Sequence, residues 1–403
     1  MLKILLNLLF LFQVSRGFAG AASPHIYGKD NRNEVDLSSP RQIQRLAKGV
    51  AALVLTSDLV SSSNNQIGFK AQSFGQSQRL CFGPLENRFR NQPSLGVCTG
   101  FYIGNKQLVT AGHCLKDKNS CNSDSTLQTK KWVFGFDVST LVEASPSGSV
   151  KVKSNRVIGC SRVLDSFHFP FDLEVGHMDY AVVELDSEPP PGTTVLEFDL
   201  QIPDRGTPVF MLGHPSGLPL KWTNEARVLK VTRSATNIES DLDAFGGNSG
   251  SPIFNQITKK VIGILVRAPE SFETEPDRDC KKIIQCQGPE CISRPSVSFA
   301  IAEIPLLSGK PPRIFEEKQT ECLRGDFSFC KGSLVVRNGL TPLEVIPPQG
   351  RIEKAWNTGW VEVSWRSRDH LDPSDLFSDF PDPAKFWHPI RMHIENLSPD
   401  ILR

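Results

Sequence analysis

Gly246-Gly247-Asn248-Ser249-Gly250-Ser251-Pro252 places one serine between glycines, and two upstream stretches give it chemical partners. Thr110-Ala111-Gly112-His113-Cys114 sets a histidine after a short apolar run, and Asp179-Tyr180-Ala181-Val182-Val183 opens an apolar stretch on an acid. A serine hydroxyl is a poor nucleophile until a base takes its proton. The base in turn needs an acid that fixes its tautomer and stabilises the imidazolium. His113, Asp179 and Ser249 supply these three roles in that chain order. Charge developing on an attacked carbonyl oxygen must meet fixed donors. The backbone amides of Gly247 and Ser249 are the expected ones, with glycine at 247 allowing dihedrals that a side chain opposes. Because the base must be neutral, activity is expected to rise across about pH 6 to 7.5. His177, His214, Asp165 and Asp172 are further candidates for base or acid, but none stands in a comparable motif.

Chain order separates unrelated folds that share this chemistry: α/β-hydrolases run Ser, Asp, His and subtilisins run Asp, His, Ser. The order here, with the cysteine that follows His113, resembles the chymotrypsin/trypsin-like serine peptidases over roughly residues 46 to 305. Ile26-Tyr27-Gly28-Lys29-Asp30-Asn31-Arg32 resembles the start of the bacterial V8, or glutamyl endopeptidase, branch. Asn248 also fits that branch, because an amide cannot form the ion pair by which mammalian trypsins are activated. The resemblance implies an all-β fold, a chymotrypsin-like double six-stranded β-barrel, here with a small C-terminal β-rich extension. It implies a serine endopeptidase that forms an acyl-enzyme on polypeptide substrates, with no cofactor and no metal. A cleft that captures peptides without cutting them, or an esterase using the same three residues, remains open as an alternative. The resemblance also implies a Cys98–Cys114 bridge beneath the histidine and a substrate-facing wall at Leu265 and Val266. Asp243 stands where trypsin-type enzymes keep the acid at the floor of the specificity pocket, and Leu265 stands where glutamyl endopeptidases use a histidine. Together these favour cleavage after arginine or lysine. The other reading of Asp243 is a carboxylate that bonds to loop amides and shapes the turn, and Arg267 is close enough in sequence to neutralise it.

Composition sets the frame. The 403 residues carry 45 basic and 44 acidic side chains, so nothing marks a nucleic-acid partner or an anionic membrane surface. Met1-Leu2-Lys3 and the apolar run that follows read as a signal peptide over residues 1–21, cleaved after Ala21 or Ala22, with no later membrane span. The expected location is therefore secreted or periplasmic. Ten cysteines fit an oxidising compartment. Cys322 and Cys330 are near neighbours expected to close on each other. Cys81, Cys121, Cys160, Cys280, Cys286 and Cys291 are left with fifteen possible connectivities, and their spacings match no zinc template. Residues 22–45 read as an N-terminal segment or propeptide, 46–308 as the peptidase domain, and 309–403 as a separate β-rich module of unknown role. The stretch from Ser61 to Arg90 has little periodicity and reads as an inserted loop. In the C-terminal module, Trp356, Trp360, Trp365, Phe386 and Trp387 are either core or a ligand surface.

Overall fold

The computed structural model describes residues 26–309, apart from short segments at 117–118, 140–142, 146–148, 169–178, 233–236 and 287–294. Beyond residue 332 it describes the backbone of four strands. The expected signal peptide, Cys322, Cys330, His177 and Asp172 lie outside the described residues.

The architecture is a double barrel, with one barrel closed and the other a half-barrel. Val50–Leu55 is a continuous apolar run and is buried from Val50 to Val54, as befits a central strand covered on both faces. It pairs with Lys130–Phe134 on one side and Cys98–Gly104 on the other. The sheet continues through Gln107–Thr110 and Asp179–Leu185 to Cys160–His168, all antiparallel. A four-stranded sheet that includes Gln66–Lys70 and Ser149–Lys153 completes this half.

The second half is a closed ring of six antiparallel strands: Pro208–Gly213, Pro252–Asn255, Val261–Arg267, Ser296–Ala300, Asn237–Ser240 and Lys221–Val231. Pairing of Lys221–Val231 back onto Pro208–Gly213 closes it. Lys221–Val231 alternates buried and more exposed positions along most of its length, whereas Val261–Val266 is buried throughout. One apolar core spans both halves, with Phe101, Trp132, Tyr180 and Phe299 among its largest members.

One region differs from its sequence reading, and a second settles into one of the places its reading allowed. The Ser61 to Arg90 stretch is not a bare loop. It contains the hairpin strand Gln66–Lys70 and two helical turns, Phe74–Ser77 and Pro84–Asn87, and it buries Phe69 and Phe74 completely. A Cys81–Cys280 bridge ties it to a segment 199 residues away. The N-terminal segment is built into the second barrel: Arg32–Glu34 pairs with Lys221–Thr223, and Ile26–Tyr27 runs parallel to Gln285–Cys286. Its charges are internal. Arg32 is fully buried and forms a two-pronged pair with Asp30 at 2.9 Å on each arm, and Lys221, also buried, donates to Glu34, Gln92 and the Pro219 carbonyl. A Cys121–Cys160 bridge adds a third covalent tie among the described residues. In the C-terminal region Glu344–Ile346, Ser333–Asn338, Trp360–Arg366 and His388–His393 pair in that order as an antiparallel sheet.

Candidate active site

Strand pairing brings the histidine and the acid together across 66 residues. His113 lies in the single 3-10 turn Gly112–Leu115 that follows Gln107–Thr110, and Asp179 begins the strand that pairs with Gln107–Thr110. A side chain at Gly112 would press on the Phe167 carbonyl at 2.3 Å, so this turn can approach the strand only as glycine. Asp179 Oδ2 lies 2.6 Å from His113 Nδ1 and Oδ1 accepts the His113 backbone N–H at 2.8 Å. The carboxylate is thus held in place from two directions. Burial alone would raise the Asp179 pKa, but the hydrogen bonds and charge of His113, with His168 close by, outweigh it and hold the carboxyl at about 2. With Asp179 ionised, His113 keeps its proton on Nδ1 and presents Nε2 as an acceptor.

Ser249 comes from the second barrel and is docked onto the first. Thr99 donates its backbone N–H to the Ser249 carbonyl at 2.8 Å and its hydroxyl to the Gly247 carbonyl at 2.9 Å. The buried His214 backbone N–H in turn donates to the Thr99 hydroxyl at 3.1 Å. Cys98, next to Thr99, is bridged to Cys114, next to His113, so the same covalent unit touches both the Ser249 loop and His113. Gly247 and Gly250 have φ of +89° and +86°, and a Cβ at Gly250 would stand 2.0 Å from the Thr99 carbonyl oxygen. These dihedrals turn the chain so that Asn248 donates to Phe245, Gly250 to Leu265 and Ser251 to Asn248. Among the described residues, the Gly247 and Ser249 N–H groups donate to no backbone carbonyl. Two unspent amides beside a half-buried serine are what an oxyanion site requires.

Ser249 also lines a cavity of about 380 Å³ together with Phe245, Gly246, Leu265, Val266, Arg267 and others. Asp243 is not among its lining residues. Its side chain is fully buried, and its two oxygens accept the Tyr27 and Asn31 backbone N–H groups at 2.8 and 3.1 Å. The acid expected at the pocket floor is therefore spent on two backbone amides of the N-terminal segment. Arg267 is exposed at the cavity.

Of the other candidates, Asp165 accepts from the Tyr180 hydroxyl and the Leu306 N–H, a structural role. His214 is buried, Nδ1 lies 3.0 Å from the Leu218 carbonyl, and burial pushes its pKa down to about 4, so its ring stays neutral. Two contributors escape a reading by motif. Thr99 braces the Ser249 loop from a strand 150 residues upstream. His168 brings Nδ1 to 3.3 Å from Asp179 Oδ1. Only strand register, His168 opposite Asp179, could have announced it.

Residues 98–264 match the family model of the trypsin-like peptidase domain. The glutamyl endopeptidase of Bacillus licheniformis is 27% identical over 172 residues, which are 41% of this chain and 48% of that protein. The chain thus spans about half the length of the curated relative it matches. Among solved structures, the Rv3671c protease in its inactive form aligns with 14% identity and a TM-score of 0.34, covering 68% of this chain and 98% of that one. A serine-to-alanine variant of Rv3671c from M. tuberculosis H37Rv aligns with 13% identity and a TM-score of 0.32, covering 68% and 95%. With its double barrel and the matched residues 98–264, the chain contains a trypsin-like peptidase domain.

Proposed function

We propose that this chain is a secreted serine endopeptidase in which Ser249 is the nucleophile, His113 the base and Asp179 the orienting acid. The observation that carries the reading is the pairing of an ionised Asp179 on His113 with two backbone amides, Gly247 and Ser249, left unspent beside the serine. Ser249 Oγ attacks the peptide carbonyl while His113 Nε2 takes its proton. The Asp179 carboxylate stabilises the imidazolium that results, and the Gly247 and Ser249 N–H groups receive the oxyanion. His113 then hands the proton to the leaving amine, and water repeats the sequence to release the acid. The bridges at Cys81–Cys280, Cys98–Cys114 and Cys121–Cys160 support an oxidising location. Among the described residues no helix is long and apolar enough to cross a membrane.

The position of Asp243 lends a preference for arginine or lysine no support. The charged residues at the cavity are Arg267 and Glu270 instead. The name of the Bacillus relative adds glutamate as a residue to test before the cut.

A fluorophosphonate, which reacts only with an activated serine, should label the chain and leave Ser249→Ala unlabelled. Turnover on a peptide library should fall by about six orders of magnitude in that variant. Equal labelling of a folded Ser249→Ala protein would discard the assignment, and an unlabelled wild type would favour peptide capture without cleavage.

A further inference from the structure

The Asp179 carboxylate faces a second histidine that the proposed chemistry does not use. His168 closes the Cys160–His168 strand directly opposite Asp179. Its ring centre is 5.9 Å from that of His113. Both His168 nitrogens are shielded from solvent, and neither makes a hydrogen bond among the described residues; the 3.3 Å approach to Asp179 lies within ion-pair range but outside hydrogen-bond geometry. Shielded imidazole nitrogens left in this way cost free energy unless a partner engages them.

We propose that His168, Asp179 and His113 form an inhibitory site for a divalent transition-metal ion, with Zn2+ the ion whose chemistry fits. One donor atom from each of the three lies within 4.8 Å of the others. Zinc holds tetrahedral ligands at about 2.0 to 2.1 Å, which sets neighbouring donors about 3.3 Å apart. His168 Nδ1 and Asp179 Oδ1 already have that separation, 3.3 Å. Two imidazoles and a carboxylate are a zinc donor set with a fourth position left for water, whereas calcium and magnesium favour oxygen ligands. The His113 and His168 side chains are 26% and 24% exposed, so both rings reach the surface although the His168 nitrogens face inward. Coordination through His113 Nδ1 removes that nitrogen from Asp179. A neutral ring bound there must carry its proton on Nε2, the atom that has to accept from Ser249. The ion therefore blocks the base without touching the nucleophile, and a chelator reverses the block.

The loss of activity rests on the proposed function, but the binding does not, and the test keeps them apart. Zn2+ is titrated calorimetrically into the full-length Ser249→Ala chain, and Co2+ serves as the spectroscopic probe. In parallel, peptide hydrolysis by the wild type is followed in metal-buffered Zn2+. One ion per chain, a tetrahedral Co2+ spectrum and chelator-reversible inhibition are expected. His168→Gln and His168→Leu, in the Ser249→Ala background, should each weaken Zn2+ binding by about tenfold or more. In chains that retain Ser249, each should raise the half-inhibiting concentration by the same factor, measured against the variant's own metal-free rate. No binding, or unchanged affinity in a folded His168 variant, overturns the proposal. If neither variant folds, an octahedral Co2+ spectrum of the Ser249→Ala chain overturns it and a tetrahedral one supports it. Zinc binding by a chain whose wild type hydrolyses nothing would refute the peptidase reading and leave the site standing.

Discussion

At the scale of single residues, the two buried aspartates behave in opposite ways for reasons that their environments supply. Asp179 faces His113 and is held ionised, whereas Asp243 is pushed up to about 7, chiefly by burial, even though the Tyr27 and Asn31 amides pull it down. The sign for stability follows. A carboxyl whose folded pKa exceeds its unfolded value of 3.8 favours the fold when protonated, so this contribution is full below about pH 4 and is lost as pH rises to about 7. Asp179 works the other way: its contribution is present above 3.8 and disappears as pH falls towards about 2. In Asp243→Asn the difference in denaturation midpoint between pH 5 and pH 8 should shrink, and an undiminished difference would remove Asp243 as its source. Asp243→Ala leaves the Tyr27 and Asn31 N–H groups without acceptors. It should destabilise by about 1 to 3 kcal/mol for each, measured by urea unfolding at pH 7.

The loop that carries Ser249, at the scale of elements, depends on how closely it meets the strand that carries Thr99. Gly250→Ala combines an unfavourable φ of +86° with a 2.0 Å clash on a backbone carbonyl, while a Cβ at Gly246 meets nothing within 4 Å. Gly250→Ala is expected to lose about 1 to 3 kcal/mol and most activity, and Gly246→Ala is expected to keep its stability. Equal thermal midpoints for the two variants would contradict this. The Cys98–Cys114 bridge closes a short loop with a sequence separation of 16. Replacing both cysteines by serine should cost about 3 kcal/mol on the chain-entropy model, read as a lowered denaturant midpoint relative to the wild type with both proteins kept oxidised.

For the whole molecule, the N-terminal segment is bound to the second barrel, with internal charges at the junction. Arg32→Ala leaves Asp30 buried with one partner fewer, Arg88 remaining at 3.1 Å, and should destabilise by about 3 to 5 kcal/mol. A wild-type unfolding curve would show that the pair is not needed. Every residue placed in the proposed chemistry precedes residue 252. A chain ending at Lys310 is therefore expected to hydrolyse small peptides at a near wild-type rate. A folded but inactive truncation would assign the C-terminal strands a part in the site.

Short contiguous patterns sufficed to nominate His113, Asp179 and Ser249 and to place the central strands, because each pattern carries its own chemistry or its own burial periodicity. Val50–Val54 and Val261–Val266 are apolar without interruption, and such runs go inside whatever surrounds them. The same logic misplaced residues 61–90 and left open where residues 22–45 sit, since charged and polar stretches suggest a surface. Arg32 and Asp30 are buried because they pair with each other, and Lys221 is buried because Glu34, 187 residues away, accepts from it. What Asp243 does was open in the sequence, which offered both a pocket floor and a set of loop amides. Tertiary structure decided it by bringing in amides from 212 and 216 residues away. His168 reaches Asp179 for the same kind of reason: strand register is a long-range choice, and no local pattern records which residue it will set opposite which.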